Sequence, residues 1–212
     1  DPSGPGPAAQ APSGVGRAAA VATDTDTGGA ALLCEDCHRR ARPWCAGRTA
    51  LLYAGNGRRV VLALKHGDRM DLARPAARWL ARAAVPLIRP GMIVVPVPLH
   101  WARLARRRYN QSALLAAALA RAVDLAHCPD ALVRRRRTPS QEGRSRDERF
   151  ANLDGAIGVH PRRRARILGR PVLVVDDVMT SGATFTAATA ALKEEGAGDV
   201  FVLSLARVAN AR

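Results

Sequence analysis

The chain has 212 residues, 48% of them hydrophobic, which is enough for the core of one sizeable α/β domain with a small appendage. Its formal net charge of +15 favours anionic partners such as phosphates, pyrophosphate or nucleic acid, although an arginine bias spread over the solvated surface explains the charge equally well. No stretch approaches ~20 apolar residues without arginine, which argues against a membrane span, and the 4% aromatic content argues against a platform for stacking single-stranded bases.

The N-terminal residues 1–30 are rich in Pro, Gly, Ala, Ser and Thr without periodicity, which is typical of a disordered or linker segment. They contain no basic start followed by an apolar block, so the sequence predicts no secretory signal and a cytoplasmic location. In that compartment, cysteines are expected as reduced thiols or metal ligands and not as disulfides. The cysteines are Cys34, Cys37, Cys45 and Cys128.

Residues 31–48 form a short cysteine-bearing piece. Cys34 and Cys37 have the C-x-x-C spacing of half a zinc knuckle. A structural zinc takes four ligands, for which Cys45 and His38 are the remaining candidates, but no second C-x-x-C is present. A thioredoxin-like redox motif is the weaker alternative, because no strand-then-helix pattern surrounds the pair.

Residues 49–212 alternate apolar blocks with helical patterns, which predicts βαβ units and a doubly wound parallel α/β sheet. The segment 59–64, either strand or helix, precedes Lys65. Strands are predicted near 92–97, 131–133, 172–176 and 199–206, and helices near 71–88, 110–125 and 183–195.

An anion site is predicted where the strand 92–97 ends in Pro96-Val97-Pro98 and leads into a basic loop. Guanidinium groups bind pyrophosphate through forked hydrogen bonds, and the loop supplies Arg103, Arg106, Arg107 and Arg108. The alternative is an arginine-rich face of an amphipathic helix. His100, in the same loop, is more simply an ordinary loop histidine than a ligand or acid.

The region 134–152 is polar and highly charged, without a helical or strand period. A long charged loop inside a compact domain is usually functional or disordered. In a transferase it would suit a lid that closes over bound substrate and excludes water. The alternative is a flexible excursion on the surface.

The run from Val172 to Thr184 is VLVVDDVMTSGAT, which predicts a buried parallel strand, a polar turn and a helix. Asp176 and Asp177 then fall at the carboxyl end of the strand, where open α/β sheets bind ligands. The helix start offers unpaired N–H groups to an anion, and Gly182 permits close approach. A loop for phosphate and acids for hydroxyls together predict a ribose 5-phosphate site.

Other phosphate motifs do not fit this run. No Gly-Lys-Ser/Thr follows a strand, as a Walker A motif requires, and Gly-x-Gly-x-x-Gly is absent. The remaining alternative is a plain strand-to-helix turn in which Asp177 or Thr180 is the N-cap.

The same run closely resembles the phosphoribosyl pyrophosphate (PRPP) loop of type I phosphoribosyltransferases, which has an apolar strand, two acids, two variable residues and then Thr-Thr/Ser-Gly-x-Thr. Together with four further blocks it occurs in the order seen in the ComF family, the double-zinc-ribbon, phosphoribosyltransferase-like proteins linked to natural competence. The resemblance covers about residues 32 to 208. The other blocks are ALKHGD at 63–68, VPVPLH at 95–100, RRYNQ at 107–111 and TPSQ at 138–141.

The resemblance implies a type I phosphoribosyltransferase fold that binds PRPP with Mg²⁺ and transfers or senses its phosphoribosyl group. It implies that Asp176 and Asp177 bind the ribose hydroxyls, directly or through Mg²⁺-bound water. The basic loop, with Arg107 or Arg108 foremost, would meet pyrophosphate, and Lys65 would reach the site from the N-terminal part. The implied PRPP-binding residues are Asp176, Asp177, Val178, Met179, Thr180, Ser181, Gly182, Ala183 and Thr184.

The family places a zinc ribbon before the transferase-like domain. Cys34 and Cys37 resemble the last cysteine pair of that ribbon, but the earlier pairs are missing, so a Zn²⁺ site is expected only as a remnant. The competence link implies an alternative function, a non-enzymatic DNA-uptake factor that binds single-stranded DNA. A second copy of the chain, forming a homodimer, and the competence machinery are the further partners it implies.

Overall fold

The computed structural model describes residues 20–21, 41–66, 69–99, 108–136, 138 and 145–208. In these residues the strands are β1 Ala20–Val21, β2 Ala46–Leu52, β3 Ile93–Pro96, β4 Ala126–His127, β5 Leu132–Arg134, β6 Ile157–Val159, β7 Val172–Met179 and β8 Val200–Arg207. The α-helices are α1 Gly55–His66, α2 Ala73–Ala84, α3 Gln111–Ala122, α4 Arg146–Leu153, α5 Arg164–Ile167 and α6 Ala183–Glu194. Short 3₁₀ turns lie at Met70–Leu72, Val85–Leu87 and Pro161–Arg163.

Six of the described strands form a parallel sheet in the order β1-β2-β8-β7-β3-β4. The central strand β7 begins with four fully buried residues, as expected for a parallel strand covered on both faces. Helices cover both faces of the sheet, which confirms the predicted α/β class.

Side chains that alternate along each strand divide the core into two clusters. Ile93 and Val95 of β3 pack with Phe185 of α6 on one face, whereas Val94 packs with Leu115 of α3 on the other. Helices α1 and α2 share the second face with α3. Helix α6 and the small two-stranded sheet of β5 and β6 share the first face.

The chain turns in opposite directions after β3 and β7, although these two strands are neighbours. From β3 it passes through α3 on one face to β4, and from β7 it passes through α6 on the other face to β8. Such a reversal separates the two connections and leaves a crevice at the carboxyl ends of the strands, where ligands bind in open α/β sheets. The candidate site therefore belongs between β3 and β7.

The structure corrects the place of the strand predicted near 131–133. Leu132–Arg134 lies outside the parallel sheet and pairs antiparallel with Ile157–Val159. Only the first of its three residues is buried, so it is a strand of a small outer sheet and not a central one. Sequence alone did not distinguish these cases, because a short apolar run fits both.

The structure decides one open prediction and corrects another. The ambiguous segment 59–64 lies within the helix α1. The helix α4 lies in the region that was expected to be irregular, and it begins with a capping box. The Ser145 side chain accepts a hydrogen bond from the Glu148 backbone N–H, and the Glu148 side chain accepts one from the Ser145 backbone N–H. The Ser-x-x-Glu spacing that announces such a helix is present in the sequence. Residues 137 and 139–144 of this region lie outside the described residues.

Strand β2 was not anticipated. It spans the boundary predicted between the cysteine-bearing piece and the domain, and it pairs with β8 from Ala46 to Leu52. Just before it, Trp44 is 1% exposed and belongs to the core. Residues 44–48 are therefore built into the sheet domain.

Candidate functional site

The acid pair lies where β7 loses one of its neighbours. Pro96 is the last β3 residue paired with β7, opposite Val175, whereas pairing with β8 continues to Met179. Asp176 and Asp177 therefore lie inside β7, three and two residues before its end, and not at its terminus as the sequence predicted. They are nevertheless at the carboxyl edge of the β3–β7 crevice.

Asp176 is held by hydrogen bonds from two directions. Ser112 Oγ donates to Asp176 Oδ1 at 2.7 Å, and the backbone N–H of Asp177 donates to the same oxygen at 2.9 Å. Burial, and then the neighbouring Asp177 charge, raise the pKa of Asp176 to about 7, against the lowering effect of these bonds. Asp176 therefore titrates near neutral pH.

Lys65 extends from the end of α1 to the acid pair. Its Nζ lies 3.4 Å from Oδ2 of Asp177, with the lysine side chain 25% exposed and the aspartate side chain 11% exposed. The hydroxyl of Tyr109 donates to the carbonyl of Leu64 at 2.8 Å and so fastens the residue before Lys65. The structure thus brings together three predicted site residues from distant parts of the chain.

The segment after the basic loop is anchored to the same edge. Asn110 Oδ1 accepts from the Ser112 N–H at 3.0 Å, which caps α3, and Asn110 Nδ2 donates to the Val97 carbonyl at 3.0 Å. Arg108 is exposed and has a left-handed backbone with φ of 65°. Arg107, the other predicted pyrophosphate residue, lies outside the described residues, as do His100, Arg103 and Arg106.

The phosphate loop, defined as Thr180–Thr184, turns sharply into α6. Thr180 is exposed, and Gly182 is buried with φ of +84°. Gly182 occupies the N-cap position, so neither Asp177 nor Thr180 is the N-cap. Glycine is required because a left-handed backbone is strained for other residues. The turn places backbone N–H groups at the start of a twelve-residue helix, a geometry suited to phosphate, and the first of them, the Ala183 N–H, donates to Ser181 Oγ at 3.4 Å.

Two residues that the sequence analysis did not single out support this loop. Arg42 Nη1 donates to the Ser181 carbonyl at 3.2 Å, and its guanidinium lies over the Trp44 ring, 5.5 Å from the centroid. A Cβ on Gly182 would lie 3.1 Å from Cη2 of Trp44. No local pattern announces these contacts, because they join segments far apart in sequence.

Other contacting residues were present in the resemblance blocks but were given no role. Tyr109 and Asn110 belong to the RRYNQ block, and Ser112 directly follows it. An N-cap asparagine before a helical pattern was a readable signal for Asn110. The bond from Ser112 to Asp176 had no such signal.

Within the described ranges there is no cluster of three or more His, Cys, Asp or Glu side chains that could hold a metal. Cys34, Cys37 and His38 lie outside those ranges. Cys45 Sγ lies 3.4 Å from Asp199 Oδ1, at the amino ends of the strands and so at the opposite edge of the sheet. Cys45 is thus placed away from the acid pair.

The model of the phosphoribosyl transferase domain family matches residues 110–210. The DNA utilization protein YhgH of Escherichia coli (strain K12) is 33% identical over 182 residues, covering 83% of this chain and 78% of that protein. Competence protein F of Haemophilus influenzae is 34% identical over 114 residues, covering 54% of this chain and 49% of that protein.

Solved structures similar to part of this chain include an allosteric regulatory enzyme of purine biosynthesis, with a TM-score of 0.45 at 18% identity, covering 68% of this chain and 30% of that one. A hypoxanthine phosphoribosyltransferase from Staphylococcus aureus has a TM-score of 0.43 at 13% identity, covering 68% and 67%. In the part of the chain that the structure describes, every helix is too short or too polar to cross a bilayer.

Proposed function

The chain belongs to the ComF family, that of competence protein F, and on this premise we propose that it binds PRPP with Mg²⁺ and transfers or senses its phosphoribosyl group. One observation carries the proposal. An acid pair held by Ser112 and Lys65 is followed within a few residues by a left-handed glycine at a helix start, all at the crevice between β3 and β7.

The phosphate loop is proposed to hold the 5-phosphate. The hydroxyls of Thr180, Ser181 and Thr184 and the first N–H groups of α6 supply donors, and the positive end of the helix dipole favours the anion. Asp176 and Asp177, on the adjoining strand, are proposed to accept hydrogen bonds from the ribose hydroxyls.

The acid pair fits a magnesium ion that arrives with its substrate. Mg²⁺ in nucleotide and phosphate sites is usually held by one or two carboxylates, with phosphate oxygens and water completing an octahedron. Asp176 and Asp177 are two adjacent carboxylates and would supply that share. When bound, the ion would stabilise negative charge developing on the pyrophosphate.

The residues of the chain then have separate tasks in a transfer. The bond between the anomeric carbon and the pyrophosphate oxygen breaks, pyrophosphate leaves with the electron pair, and an acceptor forms a new bond to that carbon and releases its proton. Arg107, Arg108 and Lys65 are proposed to meet the charge on the pyrophosphate through charge-assisted hydrogen bonds. The acid pair and phosphate loop hold the ribose in place.

Calorimetric titration of the full chain with PRPP, with and without Mg²⁺, tests the proposal. We expect micromolar, Mg²⁺-dependent binding. Asp177→Ala should weaken it strongly, because it removes a carboxylate beside Lys65. An acceptor screen that follows pyrophosphate release would then separate transfer from sensing.

Asp199→Ala is the matched control for this titration. Asp199 is an exposed acid at the amino edge of the same sheet, where it contacts Cys45. Its substitution should leave PRPP binding unchanged. Equal losses in the two variants, or no binding of millimolar PRPP by the wild type, would overturn the assignment.

A second candidate function is a DNA-uptake factor that binds single-stranded DNA without catalysis. The net charge of +15 favours it, and the names of two relatives refer to DNA utilization and competence. Phosphate contacts release counterions, so affinity for an oligonucleotide should fall steeply with salt concentration. DNA binding that is independent of salt, or absent at 50 mM salt, would remove this candidate.

A further inference from the structure

We propose that Arg42, together with Trp44, is a positioning residue that sets the conformation of the phosphate loop. The inference deepens the proposed function and rests on it for the identity of the ligand. Both residues precede β2 and lie outside the stretch 110–210 that the phosphoribosyl transferase domain model matches. The loop of that domain is therefore supported by a segment N-terminal to it.

Arg42 holds the peptide bond between Ser181 and Gly182 in one orientation. Arg42 is 6% exposed, and its Nη1 donates to the Ser181 carbonyl at 3.2 Å. In a planar trans peptide the carbonyl and the following N–H point in opposite directions. Holding the Ser181 oxygen towards Arg42 therefore directs the Gly182 N–H to the other side of the loop, away from the protein interior, where a phosphate can accept it.

Trp44 packs against the turn that contains Gly182. Trp44 is 1% exposed and lies edge-to-face against Phe185 of α6, with ring centroids 6.1 Å apart at an angle of 69°. The same indole lies directly below Gly182. It therefore contacts both the turn and the first turn of the helix, which limits how far either can move.

The two residues also fix one another. The Arg42 guanidinium lies over the Trp44 ring, and both groups are buried. A stacked guanidinium loses the freedom to rotate away from its carbonyl acceptor. The positive end of Arg42 is consequently held at the back of the phosphate loop, where its charge also favours a bound anion.

The test compares Arg42→Met, Arg42→Lys and Arg89→Met in the full chain. Methionine keeps much of the length of arginine without hydrogen-bond donors, and lysine restores one donor and the charge. Arg89 is the control, because it likewise covers an aromatic ring, that of Phe201 at 4.9 Å, and donates to backbone carbonyls, but is on the opposite side of the sheet from the loop's support.

Amide hydrogen exchange of the ligand-free protein is the first readout. Arg42→Met should raise exchange severalfold in peptides covering 179–186 and leave β3 and α3 unchanged, and Arg42→Lys should recover part of the protection. Arg89→Met should leave the loop unchanged. Unaltered exchange at the loop in Arg42→Met would overturn the inference, whatever the ligand proves to be.

Calorimetry with ribose 5-phosphate and with pyrophosphate is the second readout. Arg42→Met should weaken the affinity for ribose 5-phosphate about tenfold, because it removes the charge-assisted hydrogen bond that supports the loop. The affinity for pyrophosphate should change by no more than about twofold. Equal weakening of both ligands would mean a general loss of structure and would overturn a positioning role. A wild type that binds neither ligand would refute the proposed function, and exchange alone would then decide the role of Arg42.

Trp44→Phe provides an independent test if Arg42→Met does not fold. It keeps an aromatic ring against Phe185 but removes the Cη2 edge nearest Gly182. It should raise the amide hydrogen exchange of the loop. It should also weaken the affinity for ribose 5-phosphate more than the affinity for pyrophosphate. A folded Trp44→Phe with a loop that exchanges as slowly as the wild type would count against the inference.

Discussion

Ser112 and Asp176 are joined by a 2.7 Å hydrogen bond in which the serine Oγ donates to the aspartate Oδ1. Ser112 lies on the helix that follows β3, and Asp176 lies on β7, so the bond crosses the crevice between the two strands. It favours the ionised carboxylate, whereas burial and the Asp177 charge favour the protonated acid. The balance between these effects determines how the site responds to pH.

Removing the serine hydroxyl should raise the pKa of Asp176 above its value of about 7, because the Ser112 bond lowers it. The measurement is an NMR titration that follows the side-chain carboxyl carbon of Asp176 in the wild type and in Ser112→Ala. Ser204→Ala is the control, since that buried hydroxyl bonds to Thr49 Oγ at 2.7 Å and not to the acid. An unmoved titration in Ser112→Ala would contradict the expected balance.

Protonation of Asp176 should link stability to pH. Its pKa is about 7 in the folded chain against 3.8 for an ordinary aspartate, so between these values the native state binds the extra proton. The free energy of unfolding therefore falls as pH rises from about 4 to 7, by on the order of 4 kcal/mol for this group. Urea unfolding at several pH values should show this loss in wild type and not in Asp176→Asn.

The same group should make metal binding depend on pH in the opposite sense. A cation needs the ionised carboxylate, so Mg²⁺-dependent PRPP affinity should rise as pH increases through about 7. Calorimetry at pH 6 and pH 8 checks this. An affinity that is the same at both values would show that Asp176 does not titrate in this range.

Lys65→Met should weaken PRPP binding about tenfold, because it removes the ammonium group placed beside Asp177. Lys193→Met is the matched control, since Lys193 is the other lysine of the sequence and is exposed, with Nζ bonded to the Gly198 carbonyl at 2.6 Å. Calorimetric dissociation constants compare the two. Similar losses in both variants would show that only net charge matters.

Gly182→Ala should destabilise the protein by roughly 1–3 kcal/mol and abolish ribose 5-phosphate binding. The new methyl would meet Trp44, Arg42 and Met179 at 3.1 to 3.3 Å on a backbone with φ of +84°. Gly91→Ala has a similar φ of +70° but open space around the new atom, so it isolates the backbone strain. Urea unfolding should show a larger loss in the free energy of unfolding for Gly182→Ala than for Gly91→Ala. Calorimetry should show a loss of ribose 5-phosphate binding only for Gly182→Ala.

Much of the domain could be predicted from local pattern. The runs near 92–97, 172–176 and 199–206 are strands because consecutive β-branched and aliphatic residues suit a sheet covered on both faces. The strand near 131–133 was misplaced because a three-residue run does not specify its partner. The linker at 1–30, the zinc pair Cys34 and Cys37 and the role of Arg107 stay predictions.

The sequence by itself determined the residue types of the candidate site: an acid pair, a glycine-containing loop at a predicted helix start and one of only two lysines. These are local features that can be recognised without knowledge of the fold. Only the tertiary structure decided which groups meet, setting Ser112 against Asp176, Lys65 against Asp177 and Arg42 behind Ser181. Those contacts depend on strand order and on the face each helix covers, which follow from packing across the whole core and not from any short segment.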